Sequence, residues 1–257
     1  MRMALVVETL RFSARGCLCM TFLLALCVSL PGAMAEEASE LESRFVDLGS
    51  ADFQVREAAT SALLVAPWVT EEVLINQFAH ATSLEQRHRL LGIARHMLLR
   101  QLRERDFMHH AAIRAKASLG VMHVGYSAET ARVAGKSAIE VQQTIPGFPG
   151  HEHFKPGDLI VSFNGEPFPE RSQRDDFVGR ITAQRAGDRV EMEVVRDGEV
   201  VVVSVVLASS SALNSMYDNQ ATGLALRPAY AKPWEALKER LWATVTDVEP
   251  ADASATR

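Results

Sequence analysis

The chain has 257 residues, 47% of them hydrophobic, with a formal net charge of −5 and three cysteines. That mildly acidic balance disfavours nucleic acid or an anionic lipid surface as the main partner. Cys17, Cys19 and Cys27 all precede residue 30, so the rest of the chain has no disulfide framework and no thiolate metal site.

Residues 1–35 read as a secretory signal peptide. Arg2, Arg11 and Arg15 form a positive n-region, Cys17 to Leu30 an apolar core, and Ala33-Met34-Ala35 an A-x-A cleavage site. The apolar core falls short of the roughly 20 residues of a transmembrane span. An uncleaved anchor and a lipoprotein on Cys27 are the weaker alternatives, the second because Leu26 stands where a small residue is wanted. Cleavage after Ala35 would leave one or two domains in a periplasmic or secreted protein.

From Glu37 to Asp106 the apolar period is helical. Leu41, Phe45 and Leu48 make a first stripe; Asp52 can cap a second helix, which Pro67 ends, and Thr70 a third. Thr82 and Glu85 have capping-box spacing for a fourth. A faint repeat shifts Val55-Arg56 onto Gln86-Arg87 and Ala59 onto Leu90, a shift of 31 positions. The order Asp52, Val55-Arg56, Ala59, Leu63 resembles a HEAT-type repeat; a plain layer of helical hairpins reads the same pattern equally well.

After about residue 112 the period changes to two. Leu159 to Phe163 is a strand running into the turn Asn164-Gly165. Ser172 to Arg185 reads as a helix. Val190, Met192 and Val194 mark a half-buried strand, Asp197-Gly198 a hairpin turn, and Val200 to Leu207 a return strand apolar enough to be buried on both faces or to line a small barrel. Ser209 to Gly223 reads as a loop, Pro233 as the first residue of a last helix with Trp234, Leu237, Leu241 and Val245 on one face, and the end from Glu249 as frayed.

Residues 118–207 resemble the PDZ domains of bacterial envelope serine proteases, piece by piece and in order. Ser118-Leu119-Gly120-Val121 is similar to the x-Φ-G-Φ carboxylate-binding loop. A helical stretch near Ser127 to Ala134, the strand Ala138 to Thr144 and Pro146-Gly147 follow, then Lys155-Pro156-Gly157-Asp158 with Asn164-Gly165, and Ala186-Gly187-Asp188 with the Arg196-Asp197-Gly198 hairpin. The departure is Phe148 to Phe154, which lacks the family's alanines and puts its short helix in doubt. The expected fold is therefore multi-domain α+β: signal peptide 1–35, HEAT-like helical hairpins 36–112, a PDZ-like small β-barrel or sandwich capped by helices over 113–208, and a linker, docking helix and tail over 209–257.

The resemblance implies peptide binding. The amides of Leu119, Gly120 and Val121 can converge on a terminal carboxylate, and Gly120 can take the positive φ that this loop needs. A side chain at Gly120 is expected to distort the loop while sparing the core. Val121, Met122, His123 and Val124 offer a strand edge to an incoming peptide, and Phe177, Ile181 and Gln184, spaced i, i+4, i+7, would form the opposite wall, with core packing the alternative for Phe177 and Ile181. No catalytic residues, cofactor or metal are expected. His151-Glu152-His153 supplies too few ligands for zinc and reads as exposed loop polarity, and neither H-E-x-x-H nor G-x-S-x-G occurs. The expectation is an exported, non-catalytic PDZ protein that binds C-terminal or extended peptides, with a protease or assembly machine as a candidate partner; the alternative is a scaffold with a closed groove acting through its helical layer.

Overall fold

In the computed structural model, residues 42–126, 136–171, 173–220 and 223–246 are described. Residues 1–35, read above as a signal peptide, the stretch near Ser127 to Ala134 and the end from Glu249 lie outside them. By contacts the chain falls into two units, Met1–Val46 and Asp47–Arg257.

The second unit opens with three helices: α1 (Phe53–Val65), α2 (Glu71–His80) and α3 (Leu84–Phe107). Asp52 caps α1 by accepting from the Gln54 amide, and Thr70 caps α2 by accepting from that of Val73. The α3 cap lies one residue later than the sequence suggests. Ser83 accepts from the Gln86 amide, and Gln86 Oε1 returns to the Thr82 amide at 3.0 Å. Gln86 thus takes the place expected of Glu85, its side chain reaching past the Ser83 cap to the amide of Thr82. The shift of 31 positions recurs in hydrogen bonds: Arg56 Nη1 donates to the Ser50 carbonyl and Arg87 Nη2 to that of Ala81.

A short helix α4 (His109–Ala112) leads to β1 (Ala117–Ser118) and β2 (Val121–Tyr126). Then come β3 (Ala138–Thr144), α5 (Pro149–His153), β4 (Leu159–Phe163), β5 (Glu166–Pro167), α6 (Gln173–Ala183), β6 (Arg189–Arg196) and β7 (Glu199–Val206). The main sheet is antiparallel in the order β2-β3-β4-β6-β7, with β5 paired to β4. Among the described residues it is open rather than a closed barrel, with β2 and β7 at its edges. Strand β7 is accordingly not buried on both faces: Val201, Val203 and Val205 turn to the core, while Val200 and Val202 are exposed. The two hairpin turns follow their dipeptides, with Asn164-Gly165 and Asp197-Gly198 all at positive φ. Under the sheet Ile139, Val141, Ile160, Met192 and Val194 form an apolar core with Phe177 and Ile181 of α6.

The rest of the chain is more regular than a loop. It forms β8 (Ala208–Ser209), α7 (Ser210–Met216), the hairpin β9 (Tyr217–Gln220) and β10 (Gly223–Leu226), and α8 (Pro228–Thr246). Pro233 lies inside α8, which starts five residues before the expected position. Strand β8 pairs with β1, and α8 packs on α2 and α3 with Leu237 and Leu241 buried. Helix α3 is the spine. One side meets the other helices, and Leu99 and Leu102 on another meet Ile145, Phe148, Met216 and Tyr217. No described helix is long and apolar enough to cross a membrane.

Candidate functional site: a groove beside an open strand edge

The loop 118–121 is pinned from behind. The Gly150 amide donates to the Leu119 carbonyl at 2.8 Å and the Ile145 amide to the Gly120 carbonyl at 2.9 Å. With both carbonyls held by the 145–150 segment, Gly120 adopts φ +75°, a region costly to any residue with a β-carbon. A β-carbon there would run into Phe148, at 2.7 Å from its Cγ. Phe148 is fully buried. A side chain at Gly120 therefore does not spare the core, contrary to the sequence expectation.

Strand β2 pairs with β3 on one side and with no other strand among the described residues. Val121 lies opposite Thr144, and the Ile145-to-Gly120 bond that brackets this pair marks it as non-hydrogen-bonded, so the Val121 N–H and C=O point away from β3. Val141 spends its own amide and carbonyl on the β4 side, donating to Asp158 and accepting from Gly157. His123, opposite Val141, is therefore outward-facing too, as is Gly125 opposite Ile139. The register break after Met122 is absorbed by Gln142 of β3, which keeps the outward period at two.

Between β2 and α6 runs an apolar cleft of about 240 Å³. Leu119, Gly120, Val121 and His123 line its strand side. Phe177 and Ile181 line the other wall while also belonging to the core, at 2% and 6% exposure, so the two roles weighed for them coincide. Val178 and Thr182 complete that wall. Gln184 does not. It follows the end of α6, and its backbone carbonyl accepts from the Ala117 amide at 3.2 Å. Met122 and Val124 instead line a second, larger cleft of about 720 Å³ on the far side of the same edge. Its opposite wall comes from the C-terminal segment, through Leu213, Asn214, Tyr217 and Arg227.

His123 touches both clefts. Its ring meets Phe177 edge-on at 4.9 Å, and neither ring nitrogen has a hydrogen-bond partner among the described residues. Burial pushes the ring below the ordinary histidine value, with the backbone at Val121 opposing and the charge of Arg174 adding to the effect.

Behind the loop lies a polar hub, where the sequence pattern suggests only exposed loop residues. His151, Glu152 and His153 stand on α5, which forms despite the missing alanines and which Pro149 opens at its first position. His96 of α3 is wholly buried; its Nδ1 accepts from the Gly147 amide at 3.0 Å, so Nε2 carries the proton and donates to Glu152 at 3.0 Å. Burial pushes His96 below its ordinary value against the pull of Glu152, and burial with the neighbouring His96 takes His151 down to about 4. Burial works against the Glu152 carboxylate, yet its bond from His96 and the charge of Arg100 bring it net below the usual range. Partners 51 and 56 residues apart leave no local signal in the sequence. Among the described residues no group of three His, Cys, Asp or Glu is placed to hold a metal.

Residues 117–207 match the PDZ domain family. No curated protein matches the chain. Among solved structures it is similar to the HtrA-type protease AlgW with decapeptide, at 20% identity and TM-score 0.31, covering 36% of this chain and 29% of that one. A serine endoprotease from Yersinia pestis gives 16% identity and TM-score 0.28, again covering 36% of this chain and 29% of that one. The chain thus spans about a third of the length of these proteases.

Proposed function

With residues 117–207 a PDZ domain, we propose that this is an exported, non-catalytic peptide-binding protein whose groove captures a polypeptide C-terminus. The reading rests on one coincidence of geometry. A loop held at positive φ by Gly120, an outward-facing backbone at Val121 and His123, and an apolar cleft under Leu119 and Ile181 meet at a single point. The amides of Leu119, Gly120 and Val121 receive the carboxylate, the β2 edge pairs with the peptide backbone, and the cleft takes the terminal side chain. In the envelope such a protein serves as an adaptor that presents protein ends to a protease or an assembly machine.

An affinity near micromolar, about −8 kcal/mol, is ordinary for so short a strand. A hydrogen bond to a charged group contributes roughly 1.5–3 kcal/mol, so amidating the ligand should weaken binding about ten- to a hundredfold. Calorimetric titration of the mature chain with free-acid and amidated forms of one peptide-library hit tests this. Equal affinities would instead favour the scaffold alternative, which has one feature in its support: Ser210 and Leu213 of the chain's own α7 already stand in the groove lining. Export is tested separately, by N-terminal sequencing of envelope material, which should begin at Glu36.

A further inference from the structure

The groove is short. On its strand side the enclosed cleft runs from Ala117 to His123 and on its helix side from Thr182 back to Phe177. Past it the first turn of α6 closes on the strand: a β-carbon on Gly125 would lie 2.9 Å from the Arg174 backbone nitrogen and 3.2 Å from Gln173 Cβ. Among the described residues, Val121 and His123 are therefore the outward-facing positions that face open space between β2 and α6. At about 3.4 Å per residue that accommodates roughly three residues of an added strand.

A longer ligand must then leave the strand edge, and the large cleft on the other side of β2 is what it meets. The two clefts share Val121, His123 and Leu213 in their linings. They differ in chemistry. The inner one is apolar, whereas Arg174 and Arg227 both line the outer one, beside Gln142 and Asn214, and no carboxylate lines it among the described residues. Arg227 is partly neutralised by Asp218 at 2.6 Å. Arg174 is exposed and has no ion-pair partner among the described residues.

Resting on the peptide-binding reading above, we infer the ligand class: a chain end with a free carboxylate and an apolar last side chain, about three residues held in the groove, and acidic side chains just upstream that cross the outer cleft against Arg174 and Arg227. The C-terminal segment, which supplies the second wall, is then part of the recognition surface.

Fluorescence anisotropy on the mature chain tests it with labelled ten-residue peptides ending in one apolar residue. They carry Glu-Glu, Ser-Ser or Lys-Lys immediately before the last three positions, each as free acid and as amide. The Glu-Glu acid should bind about fivefold tighter than the Lys-Lys acid at low salt, the gap closing as salt is raised. Arg174→Glu should remove or reverse that order while leaving the acid-over-amide preference intact. Shortening the ligand to its last three residues should keep the acid-over-amide preference as well. If all three acids bind alike and more tightly than their amides, the upstream preference is wrong and carboxylate capture stands. If acids and amides bind alike, the reading beneath it falls first.

Discussion

Gly120 and Phe148 are in such close contact that the conformation of the loop 118–121 and the packing of the inter-layer core are one requirement. A β-carbon on Gly120 would force Phe148 out of its place beside Leu99 and Tyr217. Gly198 has a similar φ, +87°, with open space where its β-carbon would go. Gly198→Ala should therefore cost only the backbone strain, about 1–2 kcal/mol. Gly120→Ala should cost that plus the displacement of a buried ring, roughly 3–5 kcal/mol together. Urea denaturation of the two variants measures the difference, and equal losses would show that Phe148 yields freely.

The hub behind the loop makes stability depend on pH. His151 is held at about 4, below the unfolded value near 6.5, so the unfolded chain takes up the proton first. Its contribution is complete above about pH 7 and is lost as pH falls toward 4, about 3 kcal/mol in all. His96 shifts in the same direction. Glu152, held low, adds its loss only at still more acid pH. Denaturant midpoints at about pH 7 and about pH 4.5 should differ accordingly, and His151→Gln should shrink that difference. An unchanged slope in the variant would move the origin elsewhere.

Asp158, the aspartate of the Lys-Pro-Gly-Asp turn, is almost fully buried against Arg196. The guanidinium donates to both carboxylate oxygens, at 2.8 and 2.6 Å, and also to the His153 carbonyl, while the Lys155 amide donates to the same carboxylate. Removing Arg196 strands a buried carboxylate, whereas removing the carboxylate leaves a guanidinium that solvent still reaches. Arg196→Met should cost about 3–5 kcal/mol and Asp158→Asn clearly less, about 1–3 kcal/mol. The double variant should cost clearly less than their sum, by about 1–3 kcal/mol, in a double-mutant cycle. Additivity would mean the pair is uncoupled.

Groove and core can be separated on one helix. Val178 lines the cleft and is 41% exposed, whereas Phe177 is 2% exposed. Val178→Asp should weaken peptide binding about tenfold, by placing a carboxylate beside an apolar terminal side chain, and shift stability by less than about 0.5 kcal/mol. Phe177→Ala should cost about 3–5 kcal/mol of stability. Thermal melts and peptide titrations on both variants check this, and a Val178→Asp that binds normally would take the terminal side chain out of this cleft.

What the sequence disclosed was whatever rests on neighbours along the chain. Asp52 and Thr70 announce helix starts, Asn164-Gly165 and Asp197-Gly198 announce hairpins, and the alternation of Val190, Met192 and Val194 announces a buried face. Each is settled within a few residues. The failures share the opposite property. Gln184 has helical spacing from Phe177 but falls beyond the last turn, because its carbonyl is claimed by Ala117 from another element. Pro233 has the signature of a helix start, yet α8 already begins at Pro228. Strand β7, apolar on both faces, looks interior because composition cannot tell an edge from a centre. The partners of His151 and Glu152 lie on α3 and β3, a placement that only the packed layers create.

The spine helix α3 bears on how the protein can be taken apart. Ile145 and Phe148 present an apolar face that Leu99 and Leu102 cover from outside the PDZ boundaries. A recombinant fragment cut at residues 117 and 207 would expose that face to solvent and lose the Gly147-to-His96 bond with it. Such a fragment should be aggregation-prone and a poor surrogate in any ligand screen. Within residues 47–257, calorimetry should record one melting transition rather than two. Heat-labile lesions placed in the helices, far from the groove, would then unfold the groove along with them.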